Sequence, residues 1–271
     1  MRIDGKTIAE NVIFTLESQV KALSHAPHLA IVYVGDNPVI ENFIGIKKRT
    51  AEKIGATVQV FRYPHTIETH NLIKEIEKIA SETSIDGVVV QLPIPKTIET
   101  QSVLNAVPKE KDIDVLSESG FASFKKGQSV FMPAVVGAIN EIFKQHSLFI
   151  LDKKIVVLGE GRLVGGPIIS WLKQKKCDPI VLTSSSENKG EVLKSADIII
   201  SGIGVPGLIK PDMVKPGAVI IDAGTSEEGG RVVGDTDPLC EERASLFTPV
   251  PGGVGPITVA ILFKNLVLAA K

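Results

Sequence analysis

Short runs of apolar, often β-branched residues recur along this chain between segments of helical periodicity, and that alternation most limits the folds open to it. Residues 28–34 (HLAIVYV) end at Gly35-Asp36-Asn37-Pro38, and a helical stretch over 40–54 follows, closed by Gly55. Residues 57–63 (TVQVFRY) alternate as a strand does, 69–83 carry helical spacing through Leu72, Ile73, Ile76 and Ile79, and 87–91 (GVVVQ) read as a fully buried strand. Near-continuous apolar strands separated by helices predict a parallel sheet covered by helices. Residues 93–131 are less regular, a boundary is expected near them, and a helix over 135–146 would connect to a second alternating block. That block offers strands at 154–158, 179–183, 197–202, 218–223 and 232–234. With 271 residues and 44% hydrophobic content, two domains with sizeable cores are expected.

Charge narrows the partners. Thirty basic residues against 31 acidic ones leave no excess that would favour nucleic acid or an anionic membrane. The two cysteines, Cys177 and Cys240, have no ligand spacing, and only five histidines accompany them, so no metal site is expected. The N-terminal Met-Arg-Ile-Asp-Gly-Lys carries no apolar signal segment, and the most apolar stretch, 259–270, is interrupted by Lys264 and Asn265. A soluble, cytoplasmic protein is expected.

The most distinctive segment is 248–258 (TPVPGGVGPIT), three prolines and three glycines opening into an apolar helix over 259–270. Proline fixes φ and glycine permits close backbone approach, so such a loop suits either a rigid structural connection or a ligand with carbonyl or anionic atoms.

Four further groups could carry chemistry. Strand 154–158 runs into Gly159-Glu-Gly161-Arg-Leu-Val-Gly165 and a helix over 168–176. A glycine turn between a buried strand and a helix lets a dinucleotide pyrophosphate approach the helix N-terminus, although the spacing departs from GxGxxG. At the end of the next strand, Thr183-Ser184-Ser185-Ser186 offers hydroxyls to a ribose or phosphate. Arg162 could meet a 2′-phosphate that Glu160 would oppose, and both also suit a solvated turn. Phe43 and Lys47 lie four apart on one helical face, as a ring and an amine beside a flat heterocycle would, or as an ordinary half-buried face would. Gln91 ends a parallel strand, where ligands of open sheets bind. Asp112-Ile-Asp114 suits an aminopyrimidine edge or a solvated acidic turn.

Taken in order, these segments resemble the methylenetetrahydrofolate dehydrogenase/cyclohydrolase family. The resemblance runs through Val34-Gly-Asp-Asn-Pro38, the Lys47 helix, Asp86-Gly-Val-Val-Val-Gln-Leu-Pro-Ile-Pro95, Lys111-Asp-Ile-Asp114, Val164-Gly-Gly-Pro167, Lys215-Pro-Gly-Ala-Val-Ile-Ile-Asp222, Val233-Gly-Asp235 and 248–258. It implies an α/β fold of two domains: an N-terminal α/β domain completed by the C-terminal helix (1–120 plus 251–271, folate-binding) and a Rossmann-like NAD(P)-binding domain (121–250). It implies oxidation of 5,10-methylenetetrahydrofolate to the 5,10-methenyl cation with NADP, hydrolysis of that cation to 10-formyltetrahydrofolate, a role in one-carbon metabolism, and a homodimer. By matching position, Lys47, Gln91 and Asp114 are the catalytic candidates. Phe43, Pro251, Gly252, Gly253 and Gly255 are the substrate-binding candidates. Gly159, Gly161, Arg162, Val164, Gly165, Ser184 and Thr258 are the cofactor-binding candidates.

The chain also departs from the family pattern. Phe43 replaces a tyrosine, Val115 a glycine, Pro133-Ala-Val-Val136 the usual Pro-Cys-Thr-Pro, and Glu160-Gly161 the usual Arg-Ser, a change that opens NAD as an alternative to NADP. Two alternative functions follow from these changes: a dehydrogenase with weak cyclohydrolase activity, or a folate- or nucleotide-binding paralogue without catalysis.

Overall fold

The computed structural model describes residues 1–271. Residues 10–134 and 259–271 form one compact unit, and residues 1–9 and 135–258 form the other.

The first unit holds most of helix α1 (Gly5–Lys21), strand β1 (His28–Val34), helix α2 (Pro38–Ile54), β2 (Thr57–Tyr63), α3 (Thr69–Ser81), β3 (Gly87–Val90), α4 (Thr100–Asn105) and α5 (Glu118–Lys125). Its three strands are parallel in the order β2-β1-β3, with Leu29 opposite both Val58 and Gly87. β1 lies in the middle and is buried from Leu29 to Val34, which is why it reads as an unbroken apolar run. Helix α2 has clear stop signals. Asn37 caps its start by accepting from the Val39 N–H, Pro38 occupies the first turn, and Gly55 ends it at φ +78°. The irregular stretch after β3 contains two short helices whose caps are side chains: Glu99 accepts from the Gln101 and Ser102 amides, and Ser117 from the Gly120 amide.

The second unit holds α6 (Ala134–Gln145) almost entirely, then β4 (Ile155–Leu158), α7 (Gly165–Gln174), β5 (Ile180–Leu182), α8 (Lys189–Lys194), β6 (Ile198–Ser201), β7 (Val219–Asp222), the antiparallel pair β8 (Ser226–Glu228) and β9 (Arg231–Val233), and β10 (Leu246–Phe247). Five of these strands form a parallel sheet in the order β10-β7-β6-β4-β5. The first residues of the chain join it, because Ile3 N–H donates to the Phe247 carbonyl and Phe247 N–H to the Met1 carbonyl. The resulting α/β architecture with two parallel sheets is the one expected.

Helix α9 (Val254–Ala269) begins five residues before the expected 259. Pro256 falls in its first turn, where a missing N–H breaks no helical bond, so Gly255 and Thr258 are helical residues and not part of the preceding loop. From Val259 onward α9 belongs to the first unit, where Asn265 Nδ2 donates to the Ile113 and Met132 carbonyls, each at 2.8 Å. The C-terminal helix therefore completes the N-terminal α/β unit. No helix is long and apolar enough to cross a membrane.

Candidate active site

In the order β2-β1-β3 the chain leaves β1 to one side for β2 and returns to the other side for β3. The carboxyl ends of β1 and β3 therefore flank a switch point, where open α/β sheets bind ligands. Both key side chains come from there: α2 follows β1 and carries Lys47, and Gln91 directly follows β3.

Lys47 falls on the apolar stripe of α2, in step with Ile40, Ile44, Ala51 and Ile54, which are buried. Its Nζ donates to Gln91 Oε1 at 2.6 Å, and Gln91 Nε2 donates to the Leu92 carbonyl at 2.8 Å, which fixes the amide with its oxygen toward the amine. Gln91 is itself buried. Burial pushes the Lys47 amine below the ordinary lysine range, and the Asp114 carboxylate opposes that shift. Burial likewise raises the Asp114 carboxyl, with Lys47 opposing and Asp112 adding to the rise. The three candidates Lys47, Gln91 and Asp114 thus form one electrostatically linked group. Phe43 lies one turn before Lys47 and is 42% exposed, with a bare ring edge where a hydroxyl would sit.

The turn that presents Asp114 is built by Asp112, which the sequence left between two roles. Asp112 is buried and accepts from the Leu116 amide at 3.1 Å, the Ser117 amide at 2.8 Å and the Ser117 hydroxyl at 2.6 Å. These bonds hold Val115 at φ +58°, a conformation that disfavours a β-branched residue. The glycine expected at that position has a physical reason, and this chain bears a valine there instead. Neither Asp112 nor Asn265 stood out in the sequence as supports of Asp114. Their common signal, polar atoms at buried positions, is visible only in the fold.

In the second unit the carboxyl ends of β4 and β6 form the corresponding switch point. Gly159 leaves β4 at φ +85°. A Cβ on Gly165 would overlap the Gly159 carbonyl, while one on Gly161 would meet nothing within 4 Å, so the first is a close-packing glycine and the second faces open space. No side chain caps the N-terminus of α7. These features fit the pyrophosphate of a dinucleotide. Val164 lies over Gly202, as a Cβ there would overlap its side chain. Arg162 and Glu160 are both exposed and form no ion pair. Ser184 sits in a hydroxyl turn where Thr183 Oγ1 and Ser185 Oγ are 2.9 Å apart, and its carbonyl accepts from Lys189 Nζ at 2.9 Å.

The loop 248–253 also belongs to this unit. Gly5 N–H donates to the Gly252 carbonyl at 2.9 Å, Gly253 N–H to the Pro249 carbonyl at 2.7 Å, and Val250-Pro251 is cis. Pro251 and Gly252 remain loop residues with Gly253. Gly255 lies in the first turn of α9, and Thr258 Oγ1 there donates to the Gly255 carbonyl at 2.7 Å. Pro251, Gly252, Gly253, Gly255 and Thr258 are thus assigned to the unit of the glycine turn, whereas Phe43, Lys47, Gln91 and Asp114 belong to the other.

The fold and these sites define an α/β protein with a part-buried lysine–glutamine pair at the carboxyl edge of one sheet and a dinucleotide-type turn at that of the other. Residues 3–114 match the family model of the tetrahydrofolate dehydrogenase/cyclohydrolase catalytic domain, and residues 133–271 match that of its NAD(P)-binding domain. The bifunctional protein FolD of Staphylococcus aureus is 36% identical, with 99% of this chain and 96% of that protein covered. The structure of the bifunctional FolD from Campylobacter jejuni superposes with a TM-score of 0.95 at 28% identity, covering 100% of this chain and 98% of the other. The Trypanosoma brucei methylenetetrahydrofolate dehydrogenase-cyclohydrolase, solved with NADP cofactor and inhibitor, gives 0.93 at 28% identity, covering 100% and 96%. The chain belongs to the tetrahydrofolate dehydrogenase/cyclohydrolase family.

Proposed function

We propose that the protein oxidises 5,10-methylenetetrahydrofolate to the 5,10-methenyl cation with NADP and then hydrolyses that cation to 10-formyltetrahydrofolate. The observation that carries this reading is the part-buried Lys47 Nζ–Gln91 Oε1 hydrogen bond, with the Asp114 carboxylate acting on the same amine.

NADP, when bound, supplies the hydride acceptor. The chain's own residues do the rest. Gly159, Gly161, Val164 and Gly165 shape the pyrophosphate turn, Arg162 and Ser184 face the adenosine end, and Thr258 stands in the first turns of α9. Asp114 accepts hydrogen bonds from the aminopyrimidine edge of the pterin. Phe43 stacks on the substrate, and Pro251, Gly252, Gly253 and Gly255 are the further substrate-binding candidates that the family resemblance gives. For the hydrolysis, Lys47, whose amine burial pushes toward its neutral form, takes a proton from the attacking water as the new C–O bond forms. It returns that proton to the ring nitrogen as the C–N bond breaks, and the remaining hydroxyl proton of the adduct passes to solvent as the formyl C=O forms. Gln91 holds the amine in line for both transfers.

The division of labour is part of this proposal: folate on 1–120 plus 251–271, the dinucleotide on 121–250. A cytoplasmic homodimer completes it; the two free, buried cysteines suit a reducing compartment. Incubating the protein with 5,10-methylenetetrahydrofolate and each dinucleotide tests the reading, with NADP reduction and 10-formyl product expected. A second reading, a dehydrogenase with weak hydrolysis, draws on the missing hydroxyl at Phe43, and build-up of the methenyl intermediate would favour it.

A further inference from the structure

Two aspartates in the second unit, Asp222 and Asp235, are almost fully buried, and neither has a part in the chemistry above. Asp235 sits among four donors. Oδ2 accepts from the Ser201 hydroxyl at 2.6 Å and the Ile203 amide at 2.8 Å, and Oδ1 accepts from the Gly204 amide at 2.9 Å and the Val205 amide at 2.8 Å. Three consecutive amides converging on one carboxylate form an anion nest, here filled from within the protein. The loop so held leaves the carboxyl end of β6, at the switch point with β4. It packs on the glycine turn at two places: a Cβ on Gly159 would meet Ile203 Cγ1 at 3.1 Å, and one on Gly202 would overlap Val164. Ile203 and Val205 are nonetheless 37% and 43% exposed, so the loop turns apolar side chains outward beside that turn.

Glycines make room for both carboxylates. A Cβ on Gly224 would overlap the Asp235 carboxylate, and one on Gly234 would overlap Asp222 Oδ2. Asp222 in turn accepts from the Gly224 amide at 2.9 Å and the Thr236 amide at 2.8 Å. The exits of β6, β7 and β9 are therefore locked to one another through two buried aspartates.

We propose that Asp235 is the positioning residue of the dinucleotide site: by filling the amide nest of residues 203–205 it fixes the loop that sets Ile203 and Val205 against the nicotinamide half of the cofactor. The inference rests on the dinucleotide reading above. An asparagine at this position would be close to isosteric but has one acceptor oxygen, and its NH2 would face two N–H or O–H donors. The loop would lose its fixed position while the rest of the unit stayed folded.

Asp235→Asn tests this with three measurements on the full chain. NADPH affinity is read by energy transfer from the single tryptophan, Trp171 on α7, and is expected to weaken about tenfold or more. Hydrogen exchange of the Ile203, Gly204 and Val205 amides is expected to lose its protection. Hydrolysis of 5,10-methenyltetrahydrofolate without any dinucleotide is expected to keep its kcat and KM. Wild-type NADPH affinity, retained amide protection, or a parallel fall in hydrolysis would each overturn the assignment. If the asparagine variant does not fold, Ser201→Ala removes one of the four donors and should weaken NADPH binding about two- to threefold; unchanged affinity there overturns it too. A wild-type protein that binds neither NADPH nor NADH defeats the dinucleotide reading itself, and that result is seen before any variant is compared.

Discussion

Replacing Gln91 by glutamate would put a second charge at a known distance from Lys47. The Nζ–Oε1 separation is 2.6 Å, at which two unit charges attract by about 6 kcal/mol with an effective dielectric of ~20. Burying the new carboxylate takes back several kcal/mol, leaving a net of ~3 kcal/mol; at about 1.4 kcal/mol per unit, the Lys47 pKa rises by ~2 units. Burial now holds that amine below its ordinary value, and the substitution opposes that shift. Fewer neutral amines mean slower proton abstraction: hydrolysis of 5,10-methenyltetrahydrofolate at neutral pH should fall about 100-fold, and the alkaline-rising limb of its pH–rate profile should move upward by ~2 units. Gln91→Met is the matched control. It removes the acceptor without adding charge, so Lys47 loses a partner for its charged form and the limb should move downward. The assay is the decay of methenyl absorbance from acid to alkaline pH. A glutamate variant with wild-type hydrolysis, or two variants whose limbs move in the same direction, would refute the electrostatic reasoning.

Other consequences can be measured independently. Phe43→Tyr returns a hydroxyl one turn before Lys47; one hydrogen bond that holds the amine in line for proton transfer, ~1 kcal/mol, should speed hydrolysis about fivefold, and an unchanged rate would separate Phe43 from that step. Gly165→Ala forces a Cβ onto the Gly159 carbonyl, so thermal unfolding should show a loss of about 1–3 kcal/mol together with weakened NADPH binding. Burial and the neighbouring Asp235 raise the Asp222 carboxyl from 3.8 to about 6. Its folded pKa lies above its unfolded one, so the stability it contributes is complete below about pH 4 and is lost as pH rises through about 6, a change of about 3 kcal/mol. Denaturant titrations of the wild type and Asp222→Asn should differ by an amount that changes by that much between the two limits, and a pH-independent difference would contradict the shift.

The parallel sheets were legible because strands buried on both faces, such as 28–34, 87–90 and 155–158, read as apolar runs bounded by turns. Helix ends were less so. Residues 254–258 look like a loop because Gly255 and Pro256 are poor helix formers, yet the first turn of α9 needs neither a side chain at one nor an N–H at the other. Helices α4 and α5 are only six and eight residues long and lie in a charged stretch, where their capping side chains are stronger signals than their periodicity. Within the candidate site, Lys47 was legible as an amine sharing a helical face with the Phe43 ring four residues before it, and Gln91 as a polar strand exit. The supports were not. Asp112 sits in the run Lys109-Glu-Lys-Asp112, which reads as solvated charge until the fold turns its carboxylate onto the Leu116 and Ser117 amides. Asp235 likewise meets its four donors across at least 30 residues of sequence.

The central claim is that one chain performs both steps, and one mixture tests it most directly. Purified protein is supplied with 5,10-methylenetetrahydrofolate and NADP, or NAD in a parallel sample, while reduced-cofactor and methenyl absorbance are followed together. Reduction of NADP with no build-up of the methenyl intermediate is the predicted result. No reduction with either dinucleotide, or reduction accompanied by accumulation of the methenyl intermediate, would contradict it.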